Sequence, residues 1–112
     1  MSLKKQFLDS KHTVKVTFCL PETALKGGKA VKVYGDFNNW ETAKGIPMKV
    51  KNGEYLATVE LEADKAYQFR YLIDEKVWEN DNEADNYAPT PFGSMNSVVT
   101  TFPEPAEMPK AV

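Results

Sequence analysis

With 112 residues, 42% of them apolar, and a formal net charge of −2, the chain has the size of one ordinary domain with its own core. Its 14 basic and 16 acidic residues are interspersed, which argues against the concentrated basic face of a phosphate-tracking nucleic-acid binder. The single cysteine, Cys19, excludes an internal disulfide framework, and its place in an alternating strand pattern predicts a half-buried thiol rather than a nucleophile. No stretch approaches the ~18 apolar residues of a membrane span. The start "MSLKKQFLDS" lacks the apolar segment and cleavage site of a signal peptide, so the cytoplasm is the expected location.

The dominant period along the chain is two. In "TVKVTFCL", Val14, Val16, Phe18 and Leu20 alternate with Thr13, Lys15, Thr17 and Cys19, the mark of a strand with one face on a core. "PETALKG" allows a single helical turn, and "KGGK" has glycines but no following helix, so a phosphate loop is not supported. Val31 and Val33 give a shorter strand that runs into "GDFNNW", Gly35 to Trp40. Glycine and asparagine suit a turn there, because both tolerate left-handed backbone. Trp40 beside such a turn either folds back to cap the core or stands at the surface to meet a ligand.

"KNGE", Lys51 to Glu54, is a strong hairpin signal joining a strand near "PMKVK" to "EYLATVEL". In "YQFRYLID", Tyr67, Phe69, Tyr71 and Ile73 are the inward set, which sends Gln68, Arg70 and Leu72 outward. "NSVVTTF" is rich in β-branched residues and closes the series. These elements predict an all-β fold, an immunoglobulin-like antiparallel β-sandwich of six to eight short strands over residues 1–102. A proline-rich tail, 103–112, with little to bury, follows as a frayed end or linker.

Alternation also selects candidates for function. Arg70 leaves the middle of its strand toward solvent, and if Val77 turns inward its neighbour Trp78 turns out. An exposed aromatic face flanked by amides and a charge suits a sugar. The C–H face of a pyranose packs on a flat ring, while the surrounding hydroxyls need donors and acceptors. The competing reading is that both tryptophans cap the open ends of a small sandwich.

Four stretches, taken together, carry a resemblance: "VYGDFNNW", "NGEYLATVEL", "YQFRYLIDEKVW" with its trailing "END", and "FGSMNSVV". From Val31 to Val99 the chain resembles the glycogen-binding domain of the AMP-activated protein kinase β subunit. It is similar as well to the isoamylase N-terminal early-set domains of α-glucan branching and debranching enzymes, the carbohydrate-binding module family 48 type. The resemblance implies an α-1,4-glucan (glycogen, starch or maltooligosaccharide) held between two tryptophans, here Trp40 and Trp78. Arg70 takes the place of a strand lysine, Phe92 of a leucine that wedges against the sugar chain, Ser94 of a threonine, and Asn96 of an asparagine that bonds hydroxyls. Arginine keeps the charge but is a planar fork, and phenylalanine is able to stack rather than wedge. The turn "DEKV" before Trp78 is one residue longer than its counterpart.

Other constellations are weaker. "DNEADN", Asp81 to Asn86, opens like a calcium loop but lacks the central glycine and has Phe92 where the bidentate glutamate belongs, so it reads as an acidic solvated loop. His12, the sole histidine, has no companions at ligand spacing. No carboxylate pair is marked out for glycoside hydrolysis. The expectation is therefore a non-catalytic α-glucan-binding module without metal or cofactor, and without nucleic-acid or membrane partners. A glycogen-metabolising enzyme is a candidate associate. The alternative is an early-set interaction or accessory domain of an α-glucan-active enzyme, with an apolar patch formed by Leu56, Leu72 and Val99 on the outer faces.

Overall fold

A computed structural model describes residues 3–102, so the tail expected at 103–112 lies outside the described residues. In chain order the strands are β1 (Leu3–Leu8), β2 (Thr13–Pro21), β3 (Val31–Gly35), β4 (Ile46–Pro47), β5 (Lys49–Lys51) and β6 (Glu54–Glu62). They continue with β7 (Ala66–Ile73), β8 (Val77–Glu79), β9 (Asn86–Pro89) and β10 (Met95–Thr100). Short 3-10 turns occupy Glu22–Leu25, Asp36–Asn38 and Thr42–Lys44. No helix among the described residues is long and apolar enough to cross a membrane.

The strands form two antiparallel sheets, a smaller one in the order β1-β2-β6-β5 and a larger one in the order β4-β3-β7-β10-β9, with β8 hydrogen-bonded to β7. This is the expected sandwich. Ten segments appear instead of six to eight because β4, β5, β8 and β9 are only two to four residues long and too short to show a period.

Local chemistry explains the frame. β2 and β6 pair over nine residues, from Thr13↔Glu62 to Pro21↔Glu54. Asn52 (φ 54°) and Gly53 (φ 83°) supply the two left-handed positions that a tight hairpin between β5 and β6 requires. Val14, Val16 and Phe18 from one sheet meet Val33, Phe69 and Tyr71 from the other, all of them fully buried. Phe18 and Phe69 cross edge to face with ring centroids 4.9 Å apart.

Several alternation-based placements change. Val99 lies in the inter-sheet core and Leu72 is buried on the outer side, so the patch expected from Leu56, Leu72 and Val99 does not exist. Adjacent valines in "SVVTT" leave the choice of face open, and register settles it: Val99 pairs with Tyr67 while Val98 pairs with Gln68 on the outer face. Val77 remains 50% exposed and does not join the core. Cys19 is buried rather than half-buried, and burial pushes its thiol up, away from the reactive thiolate.

Asp81 is the largest departure from the solvated loop expected around it, being 1% exposed. Its carboxylate accepts the Tyr71 hydroxyl at 2.8 Å and the Glu83 backbone N–H at 2.8 Å. Its own N–H donates to Ser97 Oγ at 2.8 Å, and its carbonyl accepts the Tyr87 hydroxyl at 2.6 Å. The segment just after β8 is thereby tied to β7 and β10 through a buried polar knot. Burial first, and the neighbouring carboxylate second, push the Tyr71 hydroxyl well above the ordinary phenol range. Replacing Tyr71 with Phe removes a hydrogen bond to a buried charge, so unfolding free energy should fall by roughly 1.5–3 kcal/mol in a denaturant titration. A loss below a few tenths would show that the knot is not structural.

Candidate functional site

The register of the larger sheet decides which side chains emerge together. Tyr34 lies opposite Arg70, and Lys32 opposite Leu72, across the β3–β7 pair. Leu72 lies opposite Trp78 across β7–β8, and Gln68 opposite Val98 across β7–β10. Directly opposed residues share a face, so Tyr34, Gln68, Arg70, Trp78 and Asn96 all stand on the outer face of this sheet. Neither tryptophan belongs to the inter-sheet core.

The turn after β3 explains "GDFNNW". Asn38 is buried, and its carboxamide oxygen accepts the Gly35 N–H at 3.0 Å while its nitrogen donates to the Lys44 carbonyl at 3.0 Å. One asparagine thus closes the turn and ties it to the next. Asp36 reaches two ways: it accepts the Trp40 indole N–H at 3.0 Å through Oδ1 and the Gln68 backbone N–H at 2.8 Å through Oδ2. Asn39 (φ 56°) and Trp40 (φ 58°) are both left-handed, a conformation that costs a bulky residue about 1–2 kcal/mol. The surrounding bonds hold it, since Trp40 N–H donates to the Gly35 carbonyl at 3.1 Å. Strain of this kind persists only where the surrounding contacts hold it in place.

Trp40 is half-buried and Trp78 is 42% exposed, with ring centroids 6.4 Å apart and planes inclined by 56°. Beneath Trp78 lies Tyr34, edge-on at 5.4 Å and fully buried although it faces outward. Tyr34 is closed off in turn by Gly45, where any Cβ would collide with the phenol ring. Trp78 therefore rests on a packed aromatic floor outside the main core, and the two indoles form an angled pair of flat surfaces open to solvent.

A cavity of about 440 Å³ opens beside them, and all six residues singled out from the sequence line it: Trp40, Arg70, Trp78, Phe92, Ser94 and Asn96. Arg70 is the only charged side chain among the described residues on its wall. Asn96 Nδ2 donates to Gln68 Oε1 at 2.9 Å, which leaves the Asn96 oxygen as an acceptor and the Gln68 nitrogen as a donor. Arg70 does not project freely into solvent. Its Nη2 donates to Ser94 Oγ and to the Met95 carbonyl, both at 2.8 Å, and its Nε is buried with no partner. Phe92, at the tip of the β9–β10 connection, is 92% exposed.

Sequence reasoning missed Gln68 and Thr90, which also line the cavity. Gln68 was within reach, because it has the same strand parity as Arg70. Thr90 gave no signal of its own, as its place depends on the turn it closes. Among the described residues no three His, Cys, Asp or Glu side chains gather as a metal site, and His12 pairs with Asp64 at 2.8 Å on the surface.

Residues 6–106 match the family described as the glycogen recognition site of AMP-activated protein kinase. The chain belongs to this family. The glycogen-recognition module is also similar in fold to one segment of the enterobactin esterase from Shigella flexneri, solved with 2,3-dihydroxy-N-benzoyl-serine, with a TM-score of 0.65 at 15% identity. That likeness covers 92% of the module and 34% of the esterase chain, so the module spans about a third of that protein. No curated protein matches the module as a relative.

The packing of Tyr34 against Gly45 makes a specific prediction. Gly45→Ala should displace the tyrosine and tilt Trp78, at a cost of about 1–3 kcal/mol for overpacking. The ligand-free protein should then show altered tryptophan emission and near-UV dichroism with an unchanged far-UV spectrum. Unaltered tryptophan signals would mean that the floor does not set the ring.

Proposed function

We propose that the outer face of the larger sheet is the surface on which this module binds α-1,4-glucan, with Trp40 and Trp78 stacked on neighbouring glucose rings. The observation that carries this reading is the indole pair, open to solvent and inclined by 56° beside a cavity of about 440 Å³. An α-1,4 chain curves, and two inclined planes suit successive rings of a curved chain better than those of the flat β-1,4 ribbon. The free oxygen of Asn96 and the free nitrogen of Gln68 accept from and donate to hydroxyls, Arg70 offers Nη1, and Ser94 assists. Phe92 packs on the sugar edge.

Binding of this kind needs no chemistry from the module, and glycogen recognition is the role of its family. No carboxylate lines the cavity among the described residues. The module's service is then to hold a polysaccharide near an enzyme, attached or associated, that acts on α-glucans, with starch and maltooligosaccharides as further ligands. The shallow site has few rings to cover, so dissociation constants should fall between micromolar and millimolar, roughly −8 to −4 kcal/mol.

Calorimetric titration with maltoheptaose tests the reading. Wild-type protein should bind in that range and a β-1,4 glucose oligomer should not. Trp40→Ala or Trp78→Ala should weaken binding by at least about tenfold, or 1.4 kcal/mol. Each should destabilise the fold by less than the ~3–5 kcal/mol of a core aromatic. Undiminished binding after both substitutions would remove the platform from the account.

A further inference from the structure

Phe92 poses a physical problem. It is 92% exposed, so packing does not fix it, yet it stands at the rim of the cavity. An apolar side chain on a loose turn would pay its ordering entropy at the moment of binding and return little affinity. Something else must hold the turn.

Within the turn, Thr90 is the organiser. Its N–H donates to the Ser94 carbonyl at 2.8 Å, and its carbonyl accepts the Gly93 N–H at 3.2 Å. Its hydroxyl oxygen accepts the N–H groups of Phe92 at 3.2 Å and Ser94 at 3.3 Å, and shares a bond with Ser94 Oγ at 2.9 Å. These contacts shape the turn, and the β9–β10 ladder joins its base to the sheet at Pro89↔Met95. Arg70 adds a side-chain tie from β7, its single Nη2 bridging Ser94 Oγ and the Met95 carbonyl. Asn80, just past β8, donates to the same carbonyl at 2.8 Å, and its own oxygen takes the N–H and hydroxyl of Ser97. A continuous polar path therefore runs from Arg70 through Ser94 and Thr90 to the backbone of Phe92.

The same geometry limits what Arg70 can do directly. Nη2 is occupied twice, Nε is enclosed without a partner, and only Nη1 remains for a sugar hydroxyl. A planar guanidinium holds the two N–H groups of Nη2 in fixed directions, where a lysine would offer a single mobile point charge.

We propose that Arg70 is a positioning residue, which acts on glucan affinity chiefly by holding the Thr90–Ser94 turn, and so Phe92, in its binding position. The proposal rests on the glucan-binding reading above. It adds that Arg70 and Phe92, joined through the Ser94–Thr90 hydrogen bonds, are one energetic unit.

A double-mutant cycle separates this from a direct role. Maltoheptaose affinity is measured for the wild type, Arg70→Ala, Phe92→Ala and the double variant, with backbone amide spectra of each ligand-free protein. If Arg70 acts through the turn, each single substitution should cost on the order of tenfold and the double variant scarcely more, because coupled residues are not additive. The amides of Phe92, Gly93 and Ser94 in Arg70→Ala should shift and exchange faster while the smaller sheet is unchanged. Arg70→Lys should recover affinity only as far as it recovers those amide signals. Additive losses, near a hundredfold in the double variant, would overturn the proposal. So would an Arg70→Lys protein with full affinity and a disordered turn. If the wild type itself ignores maltoheptaose, the glucan reading fails, while the ligand-free spectra still report whether Arg70 holds the turn.

Discussion

The pairing of β3 with β7 is the constraint on which the outer face depends. It sets Tyr34 beside Arg70 and Gly35 beside Phe69, so one sheet delivers Phe69 to the core and Tyr34 and Arg70 to the outer face. A slip of one residue would exchange the two sets, placing Arg70 and Gln68 among the core valines and Phe69 in water. Both errors are costly, since a buried unpaired cation and a lost core aromatic each weigh several kcal/mol. The smaller sheet enforces the register by covering only one side. What it leaves uncovered becomes available for aromatic side chains with another purpose.

Placing two tryptophans on that open side carries a penalty, and the fold meets it locally. Tyr34 fills the space under Trp78, and Gly45 lets the tyrosine lie flat by having no side chain. Asp36 takes the Trp40 indole N–H and spans to the edge of β7, while Asn38 satisfies the backbone groups of a turn that turns twice through left-handed conformation. The rings are thus ordered before any ligand arrives. Preorganisation of this kind lowers the entropic cost of binding, which matters most for a shallow site whose gross interaction energy is small. The site is polar at its edges, rigid at its base and exposed at Phe92, and each property traces to particular residues.

How much of this was legible in the sequence depends on how local the cause was. The strict alternation of β2, β6 and β7 and the Asn52–Gly53 hairpin are local, and they read correctly. The strands β1, β8 and β9 exist because neighbours recruit them: "LKKQFL" pairs along β2 from Leu3↔Phe18 to Leu8↔Thr13 without strong alternation of its own. Val99 was assigned to the wrong face because adjacent valines carry no phase. Asp81 read as solvated because its partners, Tyr71 and Ser97, are distant in the chain. Trp40, Arg70 and Trp78 stand out by turn and strand parity, whereas Phe92, Ser94 and Asn96 follow only from the resemblance, and nothing in the local pattern predicts that Trp40 and Trp78 lie 6.4 Å apart. Gln68 needed only the parity already applied to Arg70. The commitment of Arg70 to Ser94 and Met95 was beyond local reading, because it depends on how the β9–β10 turn lies against the sheet.

The central claim is that glucan binding belongs to one face of one sheet. Chemical-shift mapping with maltoheptaose on isotope-labelled protein tests it most directly. The indole N–H of Trp78, the side-chain amides of Gln68 and Asn96, and the backbone of Phe92 to Ser94 should move in a concentration-dependent way. The outer face of the smaller sheet, around Thr17 and Thr58, should remain still. Shifts centred on that second face, or none anywhere at millimolar sugar, would contradict the account.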